Sequence, residues 1–202
     1  FPDGHWPLLH FRMFTDPPFG SGFFFPPPFG QSAADWIRQL AELDFIGRAE
    51  NIVFIGDTGV GKTGLATGLL LKALENGYRG LFVKAQDLFE EMYASLADRS
   101  SRKLVDRLMR VDVLLIDELG YLNLRPEQSN VFFRLMEERY NRKPTLITTN
   151  LEYERWYKFL GQKDMVKALL SRLRHHCTTI RIEGPSFREA AERTVPRPGE
   201  AS

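Results

Sequence analysis

The 202-residue chain has little cysteine, no long apolar run and no excess of charge of one sign. Its single cysteine, Cys177, excludes an internal disulfide and any zinc site built on a Cys-x-x-Cys pair, which fits a reducing, cytoplasmic setting. No apolar run is long enough to span a bilayer, so we expect no membrane contact. The 27 basic and 26 acidic side chains give a net charge of +1. Overall charge therefore does not indicate nucleic-acid binding, and evidence for it must come from a local patch.

Phenylalanine and proline are concentrated in residues 1–31, which hold eight of the 16 Phe and seven of the 12 Pro. Proline this dense cannot form a helix or an inner strand, whereas aromatics this dense are unusual in a solvated linker. The segment is a proline-rich partner-binding segment, a disordered leader or the result of a wrongly assigned start or reading frame. We expect one of the latter two. The predicted organisation is then an irregular leader at 1–31, one domain at 32–190 and a loose tail at 191–202.

From Ser32 onward, helical patterns alternate with short apolar runs typical of buried strands. Helices are predicted at 32–49, 63–76, 86–110 with a break near 98–101, 126–141 and 164–175. Strands are predicted at 51–55, 80–84, 111–117, 145–149 and 178–182. This alternation predicts an α/β fold in which a five-stranded parallel sheet is flanked by helices on both faces.

Residues 56–63 have the sequence GDTGVGKT, which fits the pattern Gly-x4-Gly-Lys-[Ser/Thr], follows a predicted strand and opens a predicted helix. Glycines let the backbone curl so that its N–H groups face phosphates, and the helix N-terminus points its positive end at the same anion. We expect Lys62 to reach the β- and γ-phosphates of ATP and Thr63 to bind Mg²⁺. The predicted nucleotide contacts are Gly56, Asp57, Thr58, Gly59, Val60, Gly61, Lys62, Thr63 and Gly64.

The apolar strand at 111–117 ends in two carboxylates, Asp117 and Glu118. Ligands of open α/β sheets bind at the carboxyl ends of the strands. Alone, the pattern would indicate a buried strand and a solvated turn. With the phosphate loop upstream, it predicts that Asp117 holds Mg²⁺ through its water shell and that Glu118 polarises the water that hydrolyses ATP. A further strand, 80–84, lies between the two motifs in the chain, which resembles the additional-strand, catalytic-glutamate branch of P-loop proteins.

Two more polar side chains are candidates for the reaction. Asn150 follows the strand at 145–149 and is predicted to lie near the γ-phosphate and orient the water; the alternative is an asparagine that starts a turn. Arg172, on the helix at 164–175, is a candidate for contact with the nucleotide of a neighbouring subunit, where an arginine stabilises charge on the phosphoryl oxygens. The alternative is an ordinary surface arginine.

A local basic cluster is formed by Arg99, Arg102 and Lys103, at the predicted break in the helical segment 86–110. Contacts with DNA phosphates need positive charge of this local kind. Acidic side chains in the same segment allow a different interpretation, an exposed helical face of mixed charge. From the residues alone we favour that second interpretation.

Several stretches together resemble one family, the IstB-like ATP-binding proteins. They are FIGRAEN at 45–51, the loop at 56–63, LLIDELGYL at 114–122, LITTN at 146–150 and LLSRLRHH at 169–176. The resemblance runs from about residue 35 to about residue 188. Members are transposition helper ATPases of bacterial insertion sequences, related to the DnaC helicase loaders and DnaA initiators.

This resemblance implies an AAA+ P-loop fold with a reduced or absent C-terminal lid, ATP and Mg²⁺ as cofactors, and assembly of the chain into a homo-oligomer. It also implies binding to duplex DNA with little sequence preference and stimulation of a partner transposase. Arg172 rather than Arg174 matches the arginine-finger position, and Arg188 matches a second sensor. Because DnaC and DnaA carry an extra helical element between the second and third strands, the resemblance favours DNA contact at the basic cluster.

Two other functions remain open. One is a DnaC-like replicative helicase loader, whose partners are a helicase and single-stranded DNA. The other is a degenerate module that holds ATP without turnover, against which the intact Lys62, Thr63, Asp117 and Glu118 argue. Residues 1–31 do not look like the helical region with which family members begin, which puts partner docking in doubt.

Overall fold

The computed structural model describes residues 10–12, 33–120, 124, 126–161 and 163–187, with side chains from residue 37 onward except that of Lys163. The predictions for the rest of the leader, the tail, Arg188 and the C-terminal lid lie outside the described residues. None of the helices in the described part of the chain is both long and apolar enough to span a bilayer.

One sheet organises the described chain. Its strands are β1 (His10–Arg12), β2 (Asn51–Gly56), β3 (Gly80–Lys84), β4 (Val113–Leu119), β5 (Thr145–Thr149) and β6 (Cys177–Glu183). Their order is β1-β6-β2-β5-β4-β3, and β2 to β6 are mutually parallel. The predicted five-stranded parallel sheet is therefore confirmed. β1 was not predicted: three residues of the leader add an antiparallel strand to the edge at β6, so the leader is not irregular throughout.

The strand that separates the two phosphate-site motifs in space is β5. It pairs with β2 on one side and β4 on the other, so that Ile147 lies opposite both Val53 and Ile116. β3, the strand between the motifs in the chain, instead lies at the far edge beside β4. The strand between the motifs in the chain is thus not the strand between them in space, because crossover helices carry the chain past its nearest neighbour in a parallel sheet.

Eight helices occur in the described residues. They are α1 (Ala33–Ala41), α2 (Asp44–Gly47), α3 (Lys62–Glu75), α4 (Ala85–Ala97), α5 (Ser101–Met109), α6 (Pro126–Arg139), α7 (Tyr153–Leu160) and α8 (Lys163–His175). The break predicted near 98–101 is confirmed, since the turn between α4 and α5 is held by a hydrogen bond from the Ser100 N–H to the Asp98 carboxylate.

Two helical predictions differ from the structure. The helix expected at 32–49 is divided by Leu43, whose left-handed φ of 64° ends α1 and whose buried side chain packs with Phe45 of α2 in the core. α7 was not predicted. It is only eight residues long, and it is stabilised by burial of Tyr153, Trp156 and Leu160 along one face rather than by a long periodic pattern.

Apolar side chains fill both faces of the sheet. On β2, Ile52 and Phe54 face the layer that contains α3, whereas Val53 and Ile55 face the layer built from α4 to α8. This alternation follows from the two-residue period of a strand. A sheet packed on both sides holds the ends of its strands in fixed positions. The loops that follow the carboxyl ends of the strands, here called the carboxyl edge, therefore start from fixed positions relative to one another.

Arg139 connects several segments at the opposite side of the sheet, where the parallel strands begin, here called the amino edge. Its side chain is 1% exposed, and it donates hydrogen bonds to the carbonyls of Leu108 and Pro144 and to the hydroxyl of Thr145. Burial lowers the pKa of its guanidinium to about 10, which leaves it charged at neutral pH. A single side chain thereby links the ends of α5 and α6 to the start of β5.

Candidate active site

The phosphate loop runs from the end of β2 into α3. Gly59 and Gly61 have φ values of 86° and 94°, a backbone region that favours glycine. Gly56 is required for a different reason, since a side chain there would collide with the main-chain carbonyl of Ile182 on β6. The three glycines of the motif therefore allow one particular loop shape, in which the helix N-terminus faces the cleft.

The side chain of Lys62 lies over the start of the same loop. Its ammonium group donates hydrogen bonds to the carbonyls of Gly56 at 2.8 Å and Asp57 at 2.7 Å. These contacts hold a positive charge beside the backbone N–H groups of the loop. The combination of a fixed cation and oriented N–H groups is suited to binding a phosphate chain.

Asp117 is the centre of a hydrogen-bonded group at the carboxyl edge. The carboxylate is buried, and one of its oxygens accepts hydrogen bonds from the hydroxyls of Thr63, at 2.9 Å, and Thr148, at 2.6 Å. The two predicted magnesium ligands, Thr63 and Asp117, are therefore in direct contact. A hydroxyl and a carboxylate are the oxygen ligands that Mg²⁺ prefers, and Mg²⁺ needs only one or two carboxylates when substrate phosphates complete its shell. The residues present fit that ion.

Glu118 lies beside Asp117 but in a different environment. Its φ is 59°, and the pairing of β4 with β5 shifts register between Ile116 and Leu119, which turns its side chain out of the strand and into solvent. The N–H of Glu118 donates to the Thr148 hydroxyl at 2.9 Å, which holds this unusual backbone in place. Of the two adjacent carboxylates, the predicted metal ligand is thereby buried and the predicted base is exposed.

Asn150 follows β5 at the same edge. Its amide oxygen is buried and has no hydrogen-bond partner among the residues that the structure describes. Gly120 packs against it, since a side chain at Gly120 would meet the amide oxygen at 3.2 Å and Leu151 at 2.7 Å. A buried amide of this kind is expected to find a partner in a ligand or water within the cleft.

One open cleft of about 250 Å³ lies at this site. Asp117 does not line it, and contacts it through the hydroxyls of Thr63 and Thr148, which do. Its lining residues are Thr58, Gly59, Gly61, Lys62, Thr63, Gly64, Glu118, Thr148, Thr149, Asn150 and Phe187. Of the predicted nucleotide contacts, Gly56, Asp57 and Val60 do not line it. Val60 packs into the core, and the other two contact Lys62 through their carbonyls.

Three lining residues were missed from the sequence. Thr148 and Thr149 belong to the quoted motif at 146–150, and two consecutive hydroxyls at the carboxyl end of a strand were a signal that could have identified them. Phe187 was not assigned to the site, because its position depends on how the chain turns back after β6.

Arg172 lies away from this cleft. Its guanidinium contacts the Glu137 carboxylate at 3.1 Å, and it lines a second cavity of about 100 Å³ between α6 and α8. Asn51, the first residue of β2, lines the same cavity, which places Arg172 at the amino edge of the sheet. The structure therefore does not bring Arg172 to the phosphate loop of its own chain.

The basic cluster lies where α4 gives way to α5: Arg99 is on the turn, and Arg102 and Lys103 are in the first turn of α5. Arg99, Arg102 and Lys103 are all exposed, and Arg99 has a left-handed φ of 58°. The pKa of the neighbouring Asp98 is lowered, chiefly by hydrogen bonds from Ser100, with a smaller contribution from the charge of Lys103. The cluster is accessible to a large anionic partner, although one acidic side chain lies within it.

Comparison with known proteins assigns the chain to a family. A family model described as "IstB-like ATP binding protein" matches residues 29–194. A Pseudomonas aeruginosa protein named as an ATP-binding protein of insertion sequence IS21 is 36% identical over 152 residues, which are 75% of this chain and 57% of that protein. The chain thus spans little more than half the length of that relative.

Solved structures agree on the fold. A DnaI structure superposes with a TM-score of 0.64 at 22% identity, covering 77% of this chain and 88% of its own. A structure of the DnaC helicase loader has a TM-score of 0.60 at 25% identity, covering 78% of this chain and 93% of its own. The sheet order, the phosphate loop and these neighbours identify the fold as an AAA+ P-loop domain, as predicted. The chain belongs to the family of IstB-like ATP-binding proteins.

Proposed function

We propose that this chain hydrolyses ATP with Mg²⁺, and that it does so while assembled on duplex DNA to assist a transposase. The observation that carries the ATPase proposal is the contact of Thr63 and Thr148 with one oxygen of buried Asp117, next to exposed Glu118. A protein that only holds ATP needs the loop and the metal ligands. It does not need a second carboxylate held in a left-handed backbone conformation at the mouth of the cleft.

Each side chain has a separate task in this proposal. Lys62 and the loop N–H groups bind the β- and γ-phosphates, and Thr63 and Asp117 hold the ion. When bound, Mg²⁺ neutralises charge that develops on the phosphoryl oxygens. Glu118 accepts a proton from the attacking water, and the Asn150 amide orients that water against the γ-phosphate.

The DNA and transposase parts of the proposal rest on two observations. Curated relatives are named as ATP-binding proteins of insertion sequences, which implies a setting of DNA transposition. The exposed Arg99, Arg102 and Lys103 supply local positive charge, which is what non-specific contact with a phosphate backbone requires. We place the protein in the cytoplasm, because its single cysteine stays reduced there.

Assembly into a homo-oligomer is supported by the position of Arg172. It lies at the amino ends of the strands, away from the cleft of its own chain, so an arginine-finger role for it requires the nucleotide of a neighbouring subunit. A contact of this kind would make hydrolysis depend on assembly.

A second candidate function is that of a replicative helicase loader. It is favoured by the DnaC helicase loader structure, of which this chain covers 93%. The two functions differ in the DNA that they require, since a transposition helper acts on duplex DNA and a loader on single strands.

The test is binding to duplex and single-stranded oligonucleotides of equal length, with and without ATP and Mg²⁺, at fixed salt. We expect ATP-dependent preference for the duplex, and we expect this binding to weaken in an Arg99→Ala, Arg102→Ala, Lys103→Ala variant. Arg142→Ala, at an exposed arginine after α6, is the matched control. Preference for single strands would support the loader, and absence of binding to either would contradict the DNA proposal.

A further inference from the structure

A short segment after β6 turns back onto the phosphate loop. β6 ends at Glu183, and the N–H of Phe187 donates a hydrogen bond to the carbonyl of Gly59 at 3.0 Å. A side chain at Gly59 would collide with the Ser186 hydroxyl, and one at Gly61 would meet the Phe187 ring at 3.2 Å. The loop and this segment are therefore fitted closely to each other, and the ring of Phe187 has a defined position.

Phe187 differs in chemistry from the other residues of the cleft. Among the described lining residues it is the one aromatic side chain, since the rest are glycine, hydroxyl, amide, lysine and carboxylate. The residue is 37% exposed despite its contact with the loop. An aromatic ring left open in a polar cleft is suited to an apolar or aromatic part of a ligand and contributes nothing to binding phosphate.

We propose that Phe187 contacts the purine base of the bound nucleotide and so favours ATP over ligands that have the phosphates alone. The polar residues of the cleft account for the triphosphate and the metal, and among the described lining residues Phe187 is the one suited to the nucleoside. Contact between a base and an aromatic ring is favourable because each offers a flat π-face. The inference rests on the proposed function, because it requires that the cleft bind ATP.

The experiment compares ATP with inorganic tripolyphosphate, which has three phosphates but no nucleoside, in titrations with Mg²⁺ on the full chain. In a Phe187→Ala protein, we expect ATP affinity to fall about 5- to 150-fold, from the usual strength of base–aromatic stacking. Affinity for tripolyphosphate should stay within about twofold of the unaltered protein. Phe187→Trp should keep ATP affinity, because it keeps an aromatic face.

Phe82→Ala is the matched control, because Phe82 is 40% exposed on the edge strand β3 and does not line the cleft. Melting curves by circular dichroism establish that each variant is folded. Equal losses of affinity for ATP and tripolyphosphate in Phe187→Ala would overturn the inference. They would mean that the ring stabilises the phosphate loop and does not contact the base. Unchanged ATP affinity, or tighter binding of both ligands, would overturn it as well. If the unaltered protein bound neither ligand, the proposed function itself would fail.

Discussion

The Thr148 hydroxyl donates a 2.6 Å hydrogen bond to the carboxylate of Asp117, and the same hydroxyl oxygen accepts the N–H of Glu118. One threonine on β5 therefore holds both the proposed metal ligand, Asp117, and the proposed base, Glu118, on β4. Because β5 lies between the phosphate-loop strand and β4, this contact also joins the two halves of the site.

Thr148→Val keeps the shape of this side chain but removes its hydrogen bonds. A buried hydrogen bond to a charged group is worth about 1.5–3 kcal/mol, so we expect ATP turnover to fall about 10- to 100-fold. ATP affinity should change less, because the phosphate loop is untouched. Thr148→Ser, which keeps the hydroxyl, should retain most activity. Equal activity of the valine and serine variants would contradict the role given to this hydroxyl.

Arg172 and Glu118 can be tested together as parts of one shared site. Arg172→Ala should reduce turnover of the assembled protein by up to about 10³-fold without weakening nucleotide binding to one subunit. A Glu118→Gln protein has an inactive cleft but an intact arginine. Mixing the two inactive proteins should restore activity, since the arginine of one subunit then serves the intact cleft of the other. Failure to restore activity, or normal turnover in Arg172→Ala alone, would place the arginine finger elsewhere.

Substitution of Glu137 tests the role of Arg172 without changing the arginine itself. The Arg172–Glu137 pair is largely exposed, and exposed ion pairs are worth at most about 1 kcal/mol. Glu137→Gln should therefore raise turnover of the assembled protein by no more than about fivefold. The Glu138→Gln variant, at the next residue of α6, is the comparison. A large loss of activity would show that Glu137 has a positive role in the contact between subunits.

Arg139→Met should destabilise the domain without acting directly on the cleft. It leaves the buried carbonyls of Leu108 and Pro144 without their donor, and we expect a loss of about 2–4 kcal/mol in the free energy of unfolding. Urea denaturation followed by circular dichroism measures this loss. Arg142→Met, at a nearby exposed position, should change the stability by less than about 0.5 kcal/mol. Similar stabilities of the two variants would mean that the buried arginine is dispensable.

The acid stability of the domain should depend on Asp112. Hydrogen bonds from Arg79, followed by the contact with Lys143, hold the pKa of this carboxyl well below its usual range. A carboxyl with a lowered pKa in the folded state stabilises it above the ordinary pKa of about 4, and that stabilisation is lost as the pH falls towards the folded value. Asp112→Asn should therefore lower stability at pH 7 and flatten its dependence on pH below about 4. An unchanged slope in acid would contradict this role.

The site could be predicted from the sequence where its chemistry lies in short contiguous motifs. The phosphate loop, Asp117 and Glu118 each have neighbours in the chain that define them, and the structure brings them together with Asn150 at one edge. Phe187 could not be predicted in this way, because its place beside Gly61 exists only after β6 has paired with β2 and the chain has turned back.

The fold was predictable to a similar extent. Alternating apolar runs identified the five parallel strands, because buried strands and their crossover helices have distinct periods. The spatial order of the strands, the edge strand at His10–Arg12 and the short helix α7 depend on contacts between distant segments. Arg139 is a clear case, since it belongs to the polar pattern of α6 in the sequence but is buried by the ends of two other elements.

ATP turnover by Glu118→Gln, measured beside its ATP affinity, tests the central claim most directly. We expect affinity to stay within about threefold, while turnover falls by about 10²- to 10⁴-fold, the usual contribution of a general base. Glu154→Gln, at an exposed glutamate on α7, should leave both unchanged. Normal turnover in the Glu118→Gln protein would contradict the claim that this cleft hydrolyses ATP with Glu118 as its base.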